Sequence, residues 1–354
     1  MKINITQNQY PKLKEIDKTF TNNRRIISLY SKLLELNFLN QSYLRNELNI
    51  KNITETEFAL VLASILGLNY EVSDDLELIK GYILPYFSEL KKDLYSNNPY
   101  YSNIKVKNKT FKNWKFQTNK YLPYQPFIYG EYIVDGYKEI PSLGYFTEAF
   151  SYPEVLQDDN QWMLITPNEI ETMKEAIFLA TGNVVTFGLG MGYFAYMVSN
   201  KEEVNKVTIV EKDKNVIRLF TENILPQFPN KNKIEIIESD AFDYILSGNK
   251  HDFAFCDIWH DVSDGLPLYI KFKKLEVNWP MTKFTYWIEN MIVAQIRYAI
   301  YVVLFDELDG INKTYNDSFI NKVKKALNDY QIDNLEQFEY CLTNEFIVKL
   351  ITKL

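Results

Sequence analysis

From Thr166 the chain alternates helical and strand-like segments, and that alternation constrains the fold more than any other feature. Thr166-Pro167-Asn168-Glu169 opens a helix with three agreeing signals: Thr as N-cap, Pro at the first helical position and Glu at the third. Ile170, Met173, Ile177 and Ala180 then share one face, and Gly182 ends the helix. Apolar runs at 184–187, 207–210, 234–237 and 253–256 follow, with helical patterning between them. Strands separated by crossover helices pair in parallel, so the spacing predicts an α/β domain with a mainly parallel sheet over 166–310.

Chemistry collects at the strand ends. The first strand enters Gly188-Leu189-Gly190-Met191-Gly192, a turn in which glycines let backbone approach a ligand and a helix start offers N–H groups. A dinucleotide fingerprint, G-x-G-x-x-G, needs glycine at 193, where this chain has Tyr193. The second strand ends at Glu211, an acceptor for ribose hydroxyls, and the third at Asp240-Ala241, where an Asp reaches an adenine amino group. The fourth ends in Asp257-Ile258-Trp259-His260-Asp261. Taken singly, the glycines read equally as a tight turn, Glu211 as a solvated strand end and Asp240 as a helix N-cap.

The segment from Gly188 to Trp259 resembles class I S-adenosylmethionine-dependent methyltransferases. Within them it looks most like the spermidine synthase branch. Val207 to Asp213 is similar to that branch's second strand, and Ser239 to Ile245 to its third-strand block. Asp257, Asp261 and Leu268-Tyr269 are similar to its catalytic strand end and following helix. The resemblance implies a Rossmann-like fold and S-adenosylmethionine, or its decarboxylated form, as cofactor. Gly188, Gly190, Gly192, Glu211, Asp240, Ala241 and Asp257 would bind it.

The chain departs from the branch in two places. Met191 stands where spermidine synthases carry an acidic residue, and their D-x-x-D-P block is altered here. Tyr124-Gln125 is only slightly similar to their N-terminal Tyr-Gln. The fourth strand end is not N-P-P-Y-like, which counts against amino-methylation of DNA bases.

Asp257, His260 and Asp261 are the candidate catalytic groups. Asp257 falls at the reacting end of the fold, with loop orientation as its other reading. His260 is a general base or an exposed loop histidine. Asp261 and Asp264 either bind a cationic acceptor or serve turn chemistry around Gly265. His251, before the fourth strand, reads as structural. No His/Cys/Asp cluster has metal-ligand spacing, so no metal is expected.

The remainder frames this domain. Residues 1–99 read as helical, with Asn40 to Leu48 as a weak helix-turn-helix pattern, a capping box at Thr54 to Glu57 and a long helix from Ser73 through Tyr95. Residues 100–165 read as a β-rich lead-in, with Asp135-Gly136 as a hairpin turn and the lysines from Lys105 to Lys115 protecting an edge strand. A helix is expected to begin near Thr282 and carry Tyr286 to Glu289. Residues 298–305 fit helix or strand, and 311–354 read as a C-terminal helical segment.

The net charge is −7 and the pI about 5.2, which disfavours a nucleic-acid partner. The two cysteines cannot build a disulfide framework, the N-terminus has no signal-peptide core, and the apolar stretch from Met291 to Phe305 is broken by Gln295 and Arg297. A cytoplasmic protein without membrane association is expected, with an oligomer open. The expected function is methyl transfer to a small-molecule or peptidic acceptor. The alternatives are aminopropyl transfer from the decarboxylated cofactor, and a non-catalytic ligand sensor or interaction platform.

Overall fold

The computed structural model describes residues 1–354. The chain begins with β1 (Lys2–Ile3), α1 (Tyr10–Glu35), α2 (Gln41–Asn46), α3 (Glu55–Ile65) and α4 (Ser73–Leu78). The capping box forms: Thr54 accepts from the Glu57 N–H, and the Glu57 carboxylate accepts from the Thr54 N–H. The expected long helix from Ser73 to Tyr95 does not. It runs on from α4 as a π turn and a short 3-10 turn, then gives way to β2 (Phe87–Glu89) before α5 (Lys92–Ser96) and α6 (Pro99–Asn103). Pro85 lacks the N–H a helix would need, and Phe87–Glu89 find backbone partners in Leu143–Tyr145 instead.

Six strands follow: β3 (Lys109–Phe111), β4 (Trp114–Tyr121), β5 (Phe127–Asp135), β6 (Lys138–Tyr145), β7 (Phe150–Gln157) and β8 (Asn160–Leu164). They make two small sheets, β2-β6-β5 and β3-β4-β7-β8, so the lead-in is larger than a simple hairpin. The lysine-bearing β3 is an edge strand, as its sequence suggests. The first sheet shares a core with the helices: Phe58, Leu62, Ile79 and Phe87 cluster with Ile140, Leu143 and Tyr145. The division expected at 99/100 therefore does not separate two cores.

The parallel sheet is built from β9 (Gly182–Phe187), β10 (Val204–Glu211), β11 (Ile234–Glu238), β12 (Phe253–Cys256) and β13 (Lys283–Tyr286). Their order is β11-β10-β9-β12-β13, every pair parallel, with α7 (Pro167–Thr172) and α8 (Lys174–Leu179) leading in. Between strands lie α9 (Tyr193–Ser199), α10 (Lys214–Asn223), α11 (Ala241–Leu246) and α12 (Val262–Leu275). Sequence order reverses across β9, so the crevice for a ligand opens at the carboxyl ends of β9, β10 and β12. Gly182 starts β9 rather than capping the preceding helix, which ends at Ala180.

The fifth strand corrects the sequence reading. Residues 283–286 are a strand, and the helix expected there, α13 (Glu289–Leu308), begins only at Glu289. A four-residue run is too short to show its period, but it completes the sheet beside β12. Residues 298–305 are helical. Arg297, the polar break in the apolar stretch, is buried in an ion pair with Glu139. The chain closes with α14 (Ser318–Ala326), β14 (Gln331–Ile332), α15 (Leu335–Tyr340) and α16 (Asn344–Ile351); β14 pairs in parallel with β1. No helix is long and apolar enough to cross a membrane.

Candidate functional site

The carboxyl edge of the sheet holds a cavity of about 630 Å³. Gly188, Gly190, Glu211, Asp240, Ala241, Asp257 and His260 all line it. Residues selected at four separate strand ends thus meet in one place. Two selected residues do not line it. Gly192, at φ +72°, starts α9 with the Phe220 ring so close that a Cβ would come within 2.4 Å of it, so its missing side chain accommodates that ring. Asp261 is the N-cap of α12, accepting from the Ser263 and Asp264 N–H groups, and it borders a different cavity.

The turn sits tightly against its neighbours. A Cβ on Gly188 (φ +96°) would lie 1.9 Å from the Asp257 carbonyl oxygen, because the ends of β9 and β12 converge. A Cβ on Gly190 (φ +49°) would lie 1.8 Å from Met163 Sδ, and the Met191 N–H approaches the same sulfur at 3.2 Å. The start of α6 also anchors the turn from behind. The buried Tyr100 hydroxyl donates to the Met191 carbonyl at 2.7 Å, and Asn98 donates to the Tyr193 hydroxyl at 2.9 Å.

The carboxylates are differently placed. Glu211 accepts from the Leu189 N–H at 3.2 Å and the Asp213 N–H at 2.8 Å. A carboxylate has about four lone-pair sites, so these bonds do not exhaust it. Burial still holds its pKa above the usual range despite those bonds. Asp240 accepts from the Phe242 N–H at 2.8 Å as N-cap of α11, so its cap role is realised at the cavity edge. Desolvation pushes the Asp257 carboxyl to about 7, with the Glu211 charge adding to it.

Glu169 is the residue sequence reasoning missed. It reads as a helix-start signal, yet it is buried, lines the cavity, and is raised well above a normal carboxyl by desolvation and by Asp257. Nothing in local spacing marks it, because α7 reaches the site only through the tertiary fold.

The other wall comes from the lead-in hairpin, which the sequence reading also left out. Gln161, Trp162, Met163 and Leu164 of β8 cover the glycine turn. His260 is exposed, but its Nε2–H donates to the Gln161 carbonyl at 3.1 Å and its ring lies 4.4 Å from that of Trp162. A carbonyl can only accept, so Nε2 carries the proton and Nδ1 is the basic nitrogen when the ring is neutral. Trp114, Trp162, Trp259 and Trp287 line the cavity, four of the five tryptophans in the chain. That concentration is a usable signal, visible in composition only once the fold assembles it.

The remaining expectations fall elsewhere. His251 lies at the far edge with Nε2 3.1 Å from the Tyr244 hydroxyl, and burial lowers its pKa. Glu289 accepts from the Tyr269 hydroxyl at 2.7 Å, outside this cavity. Tyr124 packs against Phe58 and Tyr145 in the helical core, away from the site.

Fold and site together define an α/β protein with an acidic, tryptophan-rich cavity at the switch point of a five-stranded parallel sheet. No protein-family model matches the chain, and no curated protein matches it. Among solved structures, it is similar to a conserved hypothetical protein from Streptococcus pyogenes at 16% identity with a TM-score of 0.21. That match covers 23% of this chain and 52% of the other, about half its length.

Proposed function

We propose that the protein binds S-adenosylmethionine at the carboxyl edge of the sheet and transfers its methyl group to an amine. One observation carries this reading: Gly188, Gly190, Glu211, Asp240 and Asp257, chosen from separate strand ends, line a single cavity. When bound, the cofactor supplies a methyl group on a sulfonium and leaves as a neutral thioether. In this reading the backbone at Gly188 and Gly190 would meet its tail, Glu211 would accept from ribose hydroxyls and Asp240 from an adenine amino group.

The acceptor class follows from the lining. It contains Glu169, Glu211, Asp213, Asp240, Asp257 and Asp264 against Lys212 as the one lysine, with four indoles beside them. Carboxylates and aromatic faces both attract an ammonium-bearing acceptor. An ammonium must lose a proton before its nitrogen can attack, and a carboxyl displaced to about 7 takes one near neutral pH. Asp257 would be that base, its carboxylate taking the proton an ammonium-bearing acceptor gives up, while the cofactor would supply the methyl group.

A second reading has its own support. The same lining offers only Lys212 to a cofactor carboxylate, which suits the decarboxylated donor and aminopropyl transfer. Calorimetry of the full chain with S-adenosylmethionine, its decarboxylated form and S-adenosylhomocysteine separates the two. Tighter binding of S-adenosylmethionine, with labelled methyl transfer to amines, supports methyl transfer. Tighter binding of the decarboxylated donor supports the second reading, and binding of none of the three overturns both.

A further inference from the structure

A second and larger cavity, about 1000 Å³, lies on the opposite side of α12. Asp264 and Leu268 of that helix face the first cavity, while Leu266, Pro267 and Ile270 face the second. We propose that this cavity is a binding site for a small aromatic anion that carries an N–H or O–H donor at the end away from its charge.

The donor end is specified by Asn23. It lines the cavity, is 4% exposed, and donates through Nδ2 to the Tyr137 carbonyl at 2.7 Å. That bond fixes the amide orientation, because a carbonyl accepts only from the nitrogen. Asn23 Oδ1 is then left buried without a donor. A buried acceptor without a partner is costly, and a ligand donor removes the cost. The body is specified by the walls, to which Phe20, Tyr132 and Tyr298 contribute aromatic side chains.

The charge is specified by the mouth. Arg24, Lys271, Lys274 and Lys322 line it, and none of them forms an ion pair with a carboxylate. Arg24 rests over the Tyr298 ring at 4.5 Å and Lys271 over Phe242 at 3.7 Å. In a chain of net charge −7, four cations without carboxylate partners in one lining are a concentration of available positive charge. The side-chain carboxylates that share the lining are already engaged. Asp261 and Asp317 cap α12 and α14, and Glu139 pairs with Arg297.

The test uses the full chain and four probes: 4-aminophenyl phosphate, phenyl phosphate, aniline and inorganic phosphate. Calorimetry is expected to rank 4-aminophenyl phosphate tightest, then phenyl phosphate, with aniline and inorganic phosphate weakest. Replacing two of the exposed lysines, in a Lys274→Gln/Lys322→Gln variant, weakens the aryl phosphates by about tenfold. It leaves S-adenosylhomocysteine binding unchanged. The proposal is overturned if no aryl phosphate binds at millimolar concentration, if the double variant binds as the parent does, or if S-adenosylhomocysteine competes with the probe. Because the cavities are separate, failure of nucleoside binding in the first leaves this result unaffected.

Discussion

The Glu211 carboxylate accepts the Leu189 N–H at 3.2 Å, tying the end of the second parallel strand to the middle of the glycine turn. The two elements are adjacent in the sheet, so this bond sets the turn's position over the cavity as well as the carboxylate's.

Glu211→Ala removes both the tie and the ribose acceptor. Binding of S-adenosylhomocysteine is expected to fall by at least about tenfold, since a charged hydrogen bond is worth roughly 1.5–3 kcal/mol. Glu211→Gln retains one acceptor oxygen and is expected to fall between the two. Equal affinities by calorimetry for parent and alanine variant would contradict the placement.

The two lining glycines are expected to differ in what alanine costs. At either position the positive φ alone costs about 1–3 kcal/mol. Gly188→Ala also meets the Asp257 backbone carbonyl at 1.9 Å, which cannot move without shifting β12. Gly190→Ala meets the flexible end of Met163 at 1.8 Å. Urea denaturation should show the larger loss for Gly188→Ala, and Met163→Ala should partly rescue only Gly190→Ala.

Asp257 gives stability a pH dependence of known sign. Its pKa is about 7 folded against 3.8 unfolded, so between these values the folded chain holds the extra proton. Stability contributed by Asp257 therefore falls as pH rises from about 4 through about 7, by up to about 1.4 kcal/mol per pH unit. Asp257→Asn removes this loss. The variant should gain on the parent in urea midpoint at pH 8 relative to pH 5; an equal difference at both would contradict the shifted carboxyl.

Arg297 joins α13 to the lead-in sheet and the C-terminal helices. Its guanidinium donates to Glu139, to Asn344 Oδ1 and, through Nε, to the Leu342 carbonyl at 2.6 Å. Arg297→Met leaves Glu139 buried and unpaired, with an expected loss of about 3–5 kcal/mol. The double variant Arg297→Met/Glu139→Leu should recover most of it, and a chemical-denaturation cycle measures the coupling.

Much of the site was legible because parallel sheets place ligands at strand ends, and strand ends are local features. Gly188, Glu211, Asp240 and Asp257 could be selected one strand at a time. Gly192 and Asp261 are legible in the same way, yet neither lines the cavity. Each sits in the right stretch of sequence, but whether it faces the cavity depends on Phe220 and on the capping geometry of α12.

Hydrophobic period, caps and turn residues act over a few positions, so the parallel sheet, its first four strands and the glycine turn are readable along the chain. That 283–286 is a strand, that Glu169 and the β8 hairpin wall the cavity, and that the N-terminal helices share a core with a sheet emerge only in the folded molecule. Those outcomes depend on contacts between residues far apart in the chain, where short-range preference carries no information and the burial of apolar surface chooses the partner.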